Sequence, residues 1–100
     1  MPAVVRIGDP LSTGHGCAGS TTLAGAAQGS VFANGILVAV VGAPTESHAV
    51  PPDPPCAPHV ANLNAGSSSV FAEGIPVGRV GDSADAGAMT GGSPNVFAGG

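Results

Sequence analysis

The sequence predicts an all-β fold of short strands, arranged as three similar units about a pseudo-threefold axis, with little or no helix. Three observations lead there. A Val-Phe-Ala segment followed by Gly occurs three times, a second Gly-centred signature alternates with it, and 17 glycines and 10 prolines interrupt a chain of 100 residues. At that density Gly and Pro read as turns between strands rather than as disorder, because only 8% of the residues are charged while 43% are hydrophobic. A chain so weakly charged either packs or aggregates.

The first signature runs Ser30-Val31-Phe32-Ala33-Asn34-Gly35-Ile36 and recurs, shifted by 39 positions, as Ser69-Val70-Phe71-Ala72-Glu73-Gly74-Ile75. The shift carries on through Val38 and Val77, Val41 and Val80, and Gly42 and Gly81, and a third copy closes the chain as Val96-Phe97-Ala98-Gly99-Gly100. The second signature is Arg6-Ile7-Gly8-Asp9, then Val40-Val41-Gly42-Ala43, then Arg79-Val80-Gly81-Asp82. Residues 1–100 therefore form one domain of three units, at about 4–35, 36–74 and 75–100. In each, a β-segment ends in Gly, a variable loop comes next, and a Val-Phe-Ala β-segment closes the unit. Val-rich runs favour strands, and the Ala-Gly-Ser stretches cannot sustain helix. Gly19 to Gln28 is the one place with room for a helical turn.

Three Phe, no Trp and no Tyr leave a core of Val, Ala and a few Ile and Leu. Such a core buries little area per residue, at roughly 25 cal/mol per Å², and a fold this lean recruits a metal, disulfides or partner chains. The net charge is −4, with Arg6 and Arg79 as the permanent cations, so no basic patch is available for nucleic acid. There is no apolar run of about eighteen residues to span or anchor in a membrane, and no apolar stretch behind Arg6 that reads as a secretion signal. Synthesis in a reducing cytoplasm is expected. Two cysteines 39 positions apart do not make a disulfide framework.

The metal-binding residue types gather in the loops between the signatures. His15 follows Gly8 by seven residues, His48 follows Gly42 by six, and Cys56 and His59 stand in Cys-x-x-His spacing in the Pro-rich second loop. The corresponding place in the third unit, around Gly87 and Ala88, offers no ligand. Three imidazoles and one thiolate suit a single structural Zn²⁺, which would staple the first two units together. Pro51, Pro52, Pro54, Pro55 and Pro58 stiffen the loop that presents the pair. Cys17 is the alternative thiol. Cys56 is preferred because its spacing to His59 allows a tight chelate, and Cys17 is read as a small buried hydrophobe. A thiolate in the fourth place leaves no open position for a water nucleophile, Glu46 and Asp53 read as solvated charges, and no Gly-x-Ser-x-Gly occurs. No enzymatic activity or small-molecule substrate is expected. A metal hydrolase is the reading left if the thiolate stays away.

The segment Pro76-Val77-Gly78-Arg79-Val80-Gly81-Asp82 resembles the Pro-Ala-Ala-Arg-x-Gly-Asp motif of PAAR-repeat proteins. Ala3-Val4-Val5-Arg6-Ile7-Gly8-Asp9 is similar to a second copy without the Pro, and Leu37-Val38-Ala39-Val40-Val41-Gly42-Ala43 to a third that has lost Arg and Asp. The resemblance spans the whole chain, and His15, His48, Cys56 and His59 match the family's site of three His and one Cys for zinc.

The resemblance implies a small β-rich cone, one copy per spike, capping the trimeric β-helical spike of a contractile injection machine such as a phage tail or a type VI secretion system. It would be assembled at the spike tip and carried to the target envelope, which it helps to pierce. A pseudo-threefold base offers each spike chain a similar surface and covers its unpaired strand edges. Val31, Phe32, Val70, Phe71, Val96 and Phe97 are expected at that base, one residue of each Val-Phe pair facing the core and the other the partner. The chain stops directly after the third repeat, so a bare tip without an appended domain is expected. The alternative is a free-standing small zinc-binding protein with no spike partner.

Overall fold

The computed structural model describes residues 1–50 and 57–99. Among these residues there is no helix, and ten short strands occur: β1 (Pro10–Ser12), β2 (Ser20–Thr22), β3 (Phe32–Ala33), β4 (Ile36–Leu37), β5 (His48–Val50), β6 (Ala57–His59), β7 (Phe71–Ala72), β8 (Ile75–Pro76), β9 (Ser83–Ala84) and β10 (Gly87–Met89). The stretch from Gly19 to Gln28 contains β2 and no helical turn. An antiparallel sheet runs in the order β2-β1-β10-β9, and β3–β4, β5–β6 and β7–β8 are separate antiparallel pairs. The all-β expectation holds.

The first two Val-Phe-Ala segments form hairpins because each is succeeded by a pair of residues suited to a tight turn. Asn34-Gly35 (φ 56° and 76°) and Glu73-Gly74 (φ 53° and 79°) place both turn residues in the left-handed region, the combination that matches the twist of a two-residue hairpin. The unit boundaries drawn at 35/36 and 74/75 thus pass through the turns of β3–β4 and β7–β8. The third copy finds its return strand at the other end of the chain: Phe97 bridges Ala3, and the Ala98 N–H donates to the Pro2 carbonyl at 3.0 Å. Val38, Val77 and Val4 each donate a backbone N–H to Val31, Val70 and Val96 respectively, all at 3.0 Å.

The second signatures meet in a closed ring. The Val5 N–H donates to the Gly78 carbonyl (3.0 Å), the Gly78 N–H to Ala39 (2.9 Å), and the Ala39 N–H back to Val5 (2.9 Å). Around it Ile7 donates to Leu37 (3.1 Å), Val41 to Pro76 (3.0 Å) and Val80 to Ala3 (2.9 Å). In the first and third units the turn at Gly is locked by a fork: the Arg6 and Arg79 guanidinium groups grip Asp9 and Asp82 through Nε and Nη2 at 2.9–3.0 Å. The middle unit has Val40 and Ala43 in those places, and both are fully buried. Its turn is held by packing.

Two apolar clusters form the core. One holds Val4, Val38 and Val77 with Ala33, Ala72 and Ala98, the last three each the residue after a Phe. The other holds Val5 and Ala39 with Leu11, Leu23, Leu63, Ala84 and Met89, and extends towards the loops after β1 and β9. Neither member of any Val-Phe pair is buried: Val31, Phe32, Val70, Phe71, Val96 and Phe97 are all exposed, and the following Ala turns inward instead. The expectation that one of each pair faces the core is therefore corrected. Alanine fits where three hairpins crowd together, and the larger side chains are left outside.

Candidate metal centre

His15 sits in the loop that follows β1. The buried Thr13 hydroxyl donates to the Ala18 carbonyl at 2.5 Å, which folds that loop back on itself. Gly14 (φ 74°) lies so close to Ala86 that a Cβ there would meet the Ala86 carbonyl oxygen at 2.2 Å, so only glycine lets loop and turn touch. His48 opens β5 and His59 ends β6, and the two are direct cross-strand partners, which puts both rings on one face of the pair. Thr45, buried behind them, accepts the Ala61 N–H at 3.0 Å and so ties the chain leaving His59 to the chain entering His48.

The rings converge. His15 and His48 stack with centroids 5.2 Å apart and 7° between planes, and His59 stands edge-on to both, at 5.1 and 4.3 Å. The Nε2 atoms of His48 and His15 are 3.3 Å apart, and those of His59 and His48 2.8 Å. A carboxylate completes the group: Asp85 Oδ2 lies 2.8 Å from His15 Nε2, 2.7 Å from His48 Nε2 and 3.3 Å from His59 Nε2. One donor atom from each of these four residues lies within 4.8 Å of all the others, an arrangement that can hold a metal ion.

The hydrogen bonds on the far side of the rings sharpen this. His15 Nδ1 is 3.0 Å from the Gly16 carbonyl and His48 Nδ1 is 2.9 Å from the Glu46 carbonyl. A carbonyl only accepts, so each Nδ1 carries the hydrogen, and Nε2 is the ring atom left to meet a metal ion. Those Nε2 atoms and a carboxylate oxygen face one another across a space that a cation can fill. Bonds of about 2.0–2.1 Å to a tetrahedral ion require ligand atoms about 3.3 Å apart. Five of the six separations are 2.7–3.3 Å and need only a slight expansion, and all lie within 4.8 Å. Carbonyl-anchored imidazoles are the usual second tier of a metal site.

The electrostatics arise from the same contacts. The Gly16 carbonyl raises the His15 pKa above its ordinary value; lost hydration opposes this, and Asp85 adds to the rise. Burial pushes the Asp85 carboxyl up, but hydrogen bonds to His48 and His15, the charge of His15 and the contact with His59 outweigh burial and hold it below the ordinary value.

Of the four expected ligands, the structure brings His15, His48 and His59 together. Cys56, like Pro51, Pro52, Asp53, Pro54 and Pro55, lies outside the described residues. Cys17, expected as a small buried hydrophobe, is instead exposed, in a left-handed conformation (φ 69°), and disulfide-bonded. The third unit, expected to offer nothing around Gly87 and Ala88, supplies Asp85 two residues earlier. Charge accounting alone does not single it out: with Asp9 and Asp82 on the two arginines, Glu46, Asp53, Glu73 and Asp85 are all left without a permanent cation. Searches against protein-family models and curated proteins find no match for this chain.

Proposed function

We propose that this protein is the metal-pinned tip of a trimeric β-helical spike, one copy capping each spike of a contractile injection machine of the phage-tail or type VI secretion kind. The observation that carries the reading is the triplicate apolar surface. Phe32, Phe71 and Phe97 are 58%, 52% and 49% exposed, and Val31, Val70 and Val96 are 39%, 38% and 37% exposed. Three equal pairs of large apolar side chains left in water call for a partner that also comes in threes. The closed ring through Val5, Ala39 and Gly78 supports a threefold placement of these pairs, because it relates the three units in cyclic order.

The second apolar cluster leads to the histidine group: its Leu11 and Ala84 lie just before the loops that carry His15 and Asp85. Loops converging on a point leave no volume for apolar packing, so an ion can join them where a core cannot. Zn²⁺ is the ion proposed, as a structural element with no catalytic water, and imidazole is a good donor for it. When bound it would supply rigidity to the apex, and His15, His48 and His59 would hold it. The test is co-expression with a trimeric β-helical spike fragment. A stable complex of one chain per trimer, lost when Phe32, Phe71 and Phe97 are all replaced by Ser, is the expected result; failure of the wild-type chain to bind would leave a free-standing zinc protein as the reading.

A further inference from the structure

We propose that Asp85 is the fourth metal ligand, so that the third unit joins the first two on one ion and the donor set is three imidazoles and a carboxylate, with no thiolate. This rests on the reading of the site as a metal centre.

Position comes first. Asp85 Oδ2 touches all three histidine Nε2 atoms at 2.7–3.3 Å, which no other acid among the described residues does. The side chain is 8% exposed, and both arginines are engaged by other carboxylates, so the three rings are its counter-groups. A carboxylate that deep is costly unless cationic or hydrogen-bonding partners surround it, and the three rings with one ion between them would supply both.

The backbone then shows that the carboxylate is held there. Asp85 occupies the two-residue turn between β9 and β10, where Ala84 pairs with Gly87, and it does so at φ 54°. Asp tolerates this left-handed conformation better than most side chains, but at some cost that neighbours must offset. They do so from both flanks. The Asp85 N–H donates to the Asn62 carbonyl (3.1 Å), and the Asn64 side-chain amide donates to the Asp85 carbonyl (2.9 Å). On the other flank the Ala86 N–H donates to the Thr13 carbonyl (3.0 Å). The turn is thus fastened to the segment after His59 on one side and to the segment before His15 on the other. A turn gripped by both neighbouring ligand loops presents its carboxylate in a fixed place before any ion arrives.

The chemistry of the set differs from that of a thiolate site. Imidazole and carboxylate donors accept Zn²⁺, Co²⁺ or Fe²⁺ without the soft preference that sulfur adds. Metal loading then survives reduction and alkylation of the cysteines.

Cobalt titration of the metal-stripped full-length chain tests this. The wild type should bind one Co²⁺ with strong tetrahedral visible bands and without the near-ultraviolet thiolate-to-cobalt charge-transfer band. Cys56→Ser should bind equally well, and Asp85→Ala should weaken Co²⁺ binding more than about a hundredfold, beyond the cost of losing an outer partner. Asp85→Asn, with circular dichroism confirming the β-fold, separates lost coordination from lost folding. A charge-transfer band in the wild type that Cys56→Ser abolishes, or unchanged affinity in folded Asp85→Asn, overturns the assignment of Asp85 while leaving the metal centre in place. No cobalt uptake by the wild type would overturn the metal reading itself.

Discussion

Two regions of this molecule are built on opposite plans. In the apolar region the three units repeat one another: Ala33, Ala72 and Ala98 turn inward, and Phe32, Phe71 and Phe97 turn outward to nearly the same extent. In the histidine region they diverge, the first giving one imidazole, the second two and the third a carboxylate. A surface can be repeated as often as the chain repeats. Four donors around one ion cannot be shared equally among three units. Fidelity of the repeat therefore marks the face, and its breakdown marks the chemical site.

Removing the metal should break the comparison most severely. Structural zinc supplies on the order of 10 kcal/mol in finger peptides. Even about 3 kcal/mol lost here would lower the melting midpoint by roughly 12–24 °C, measurable by calorimetry with and without chelator. An unchanged midpoint would show that the apolar region carries the fold alone. Leu63→Ala comes next, since Leu63 is fully buried in the cluster with Leu11, Leu23 and Met89; a loss of about 2–5 kcal/mol in urea titration is expected.

Gly14→Ala is aimed at one region only. Its Cβ would collide with the Ala86 carbonyl and must adopt a φ of 74°, so the His15 loop and the Asp85 turn should part. Metal affinity should fall while the circular dichroism spectrum keeps its β-character. Replacing Phe32, Phe71 and Phe97 by Ser probes the other region. Being exposed, they should alter stability by no more than about 0.5 kcal/mol each, while spike binding measured by size-exclusion chromatography is lost.

The smallest effect is expected at Glu73. Its carboxylate accepts the Ser30 hydroxyl and the Gly29 N–H, which lower its pKa against the opposing effect of lost hydration. A carboxyl with a folded pKa below its unfolded one stabilises above the unfolded value, and that contribution disappears as pH falls through the folded one. Glu73→Gln should flatten this acid limb slightly in a pH-dependent melting series. The group is fully exposed, so the change should be small.

Much of the apolar region was legible in the sequence. Val-Phe-Ala followed by Asn34-Gly35 or Glu73-Gly74 carries its own turn chemistry, and the 39-residue shift announces that the hairpins are equivalent. Pattern reading missed that both Val and Phe stay outside, because crowding around the small Ala is set by neighbouring hairpins and not by strand alternation. His15, His48 and His59 were legible because histidine is scarce here and confined to Gly- and Pro-rich loops. Asp85 was not, because a lone aspartate in a turn reads the same whether it faces water or an ion. Its meaning comes from Asn62, Asn64 and Thr13, residues remote in sequence. Cys17 escaped for a related reason: a left-handed backbone in a Gly-flanked loop turns it outward, which composition cannot register.

The bridge between Ala3 and Phe97 has a temporal consequence. A ribosome delivers Ala3 long before Phe97, so the third hairpin stays unpaired while both of the others are already able to close. During that interval the nascent polypeptide displays two Val-Phe pairs and an open seam. On the proposed spike-tip role, competence to engage a three-chain partner would arrive only with the last repeat, an inherent check against subunits broken off before it.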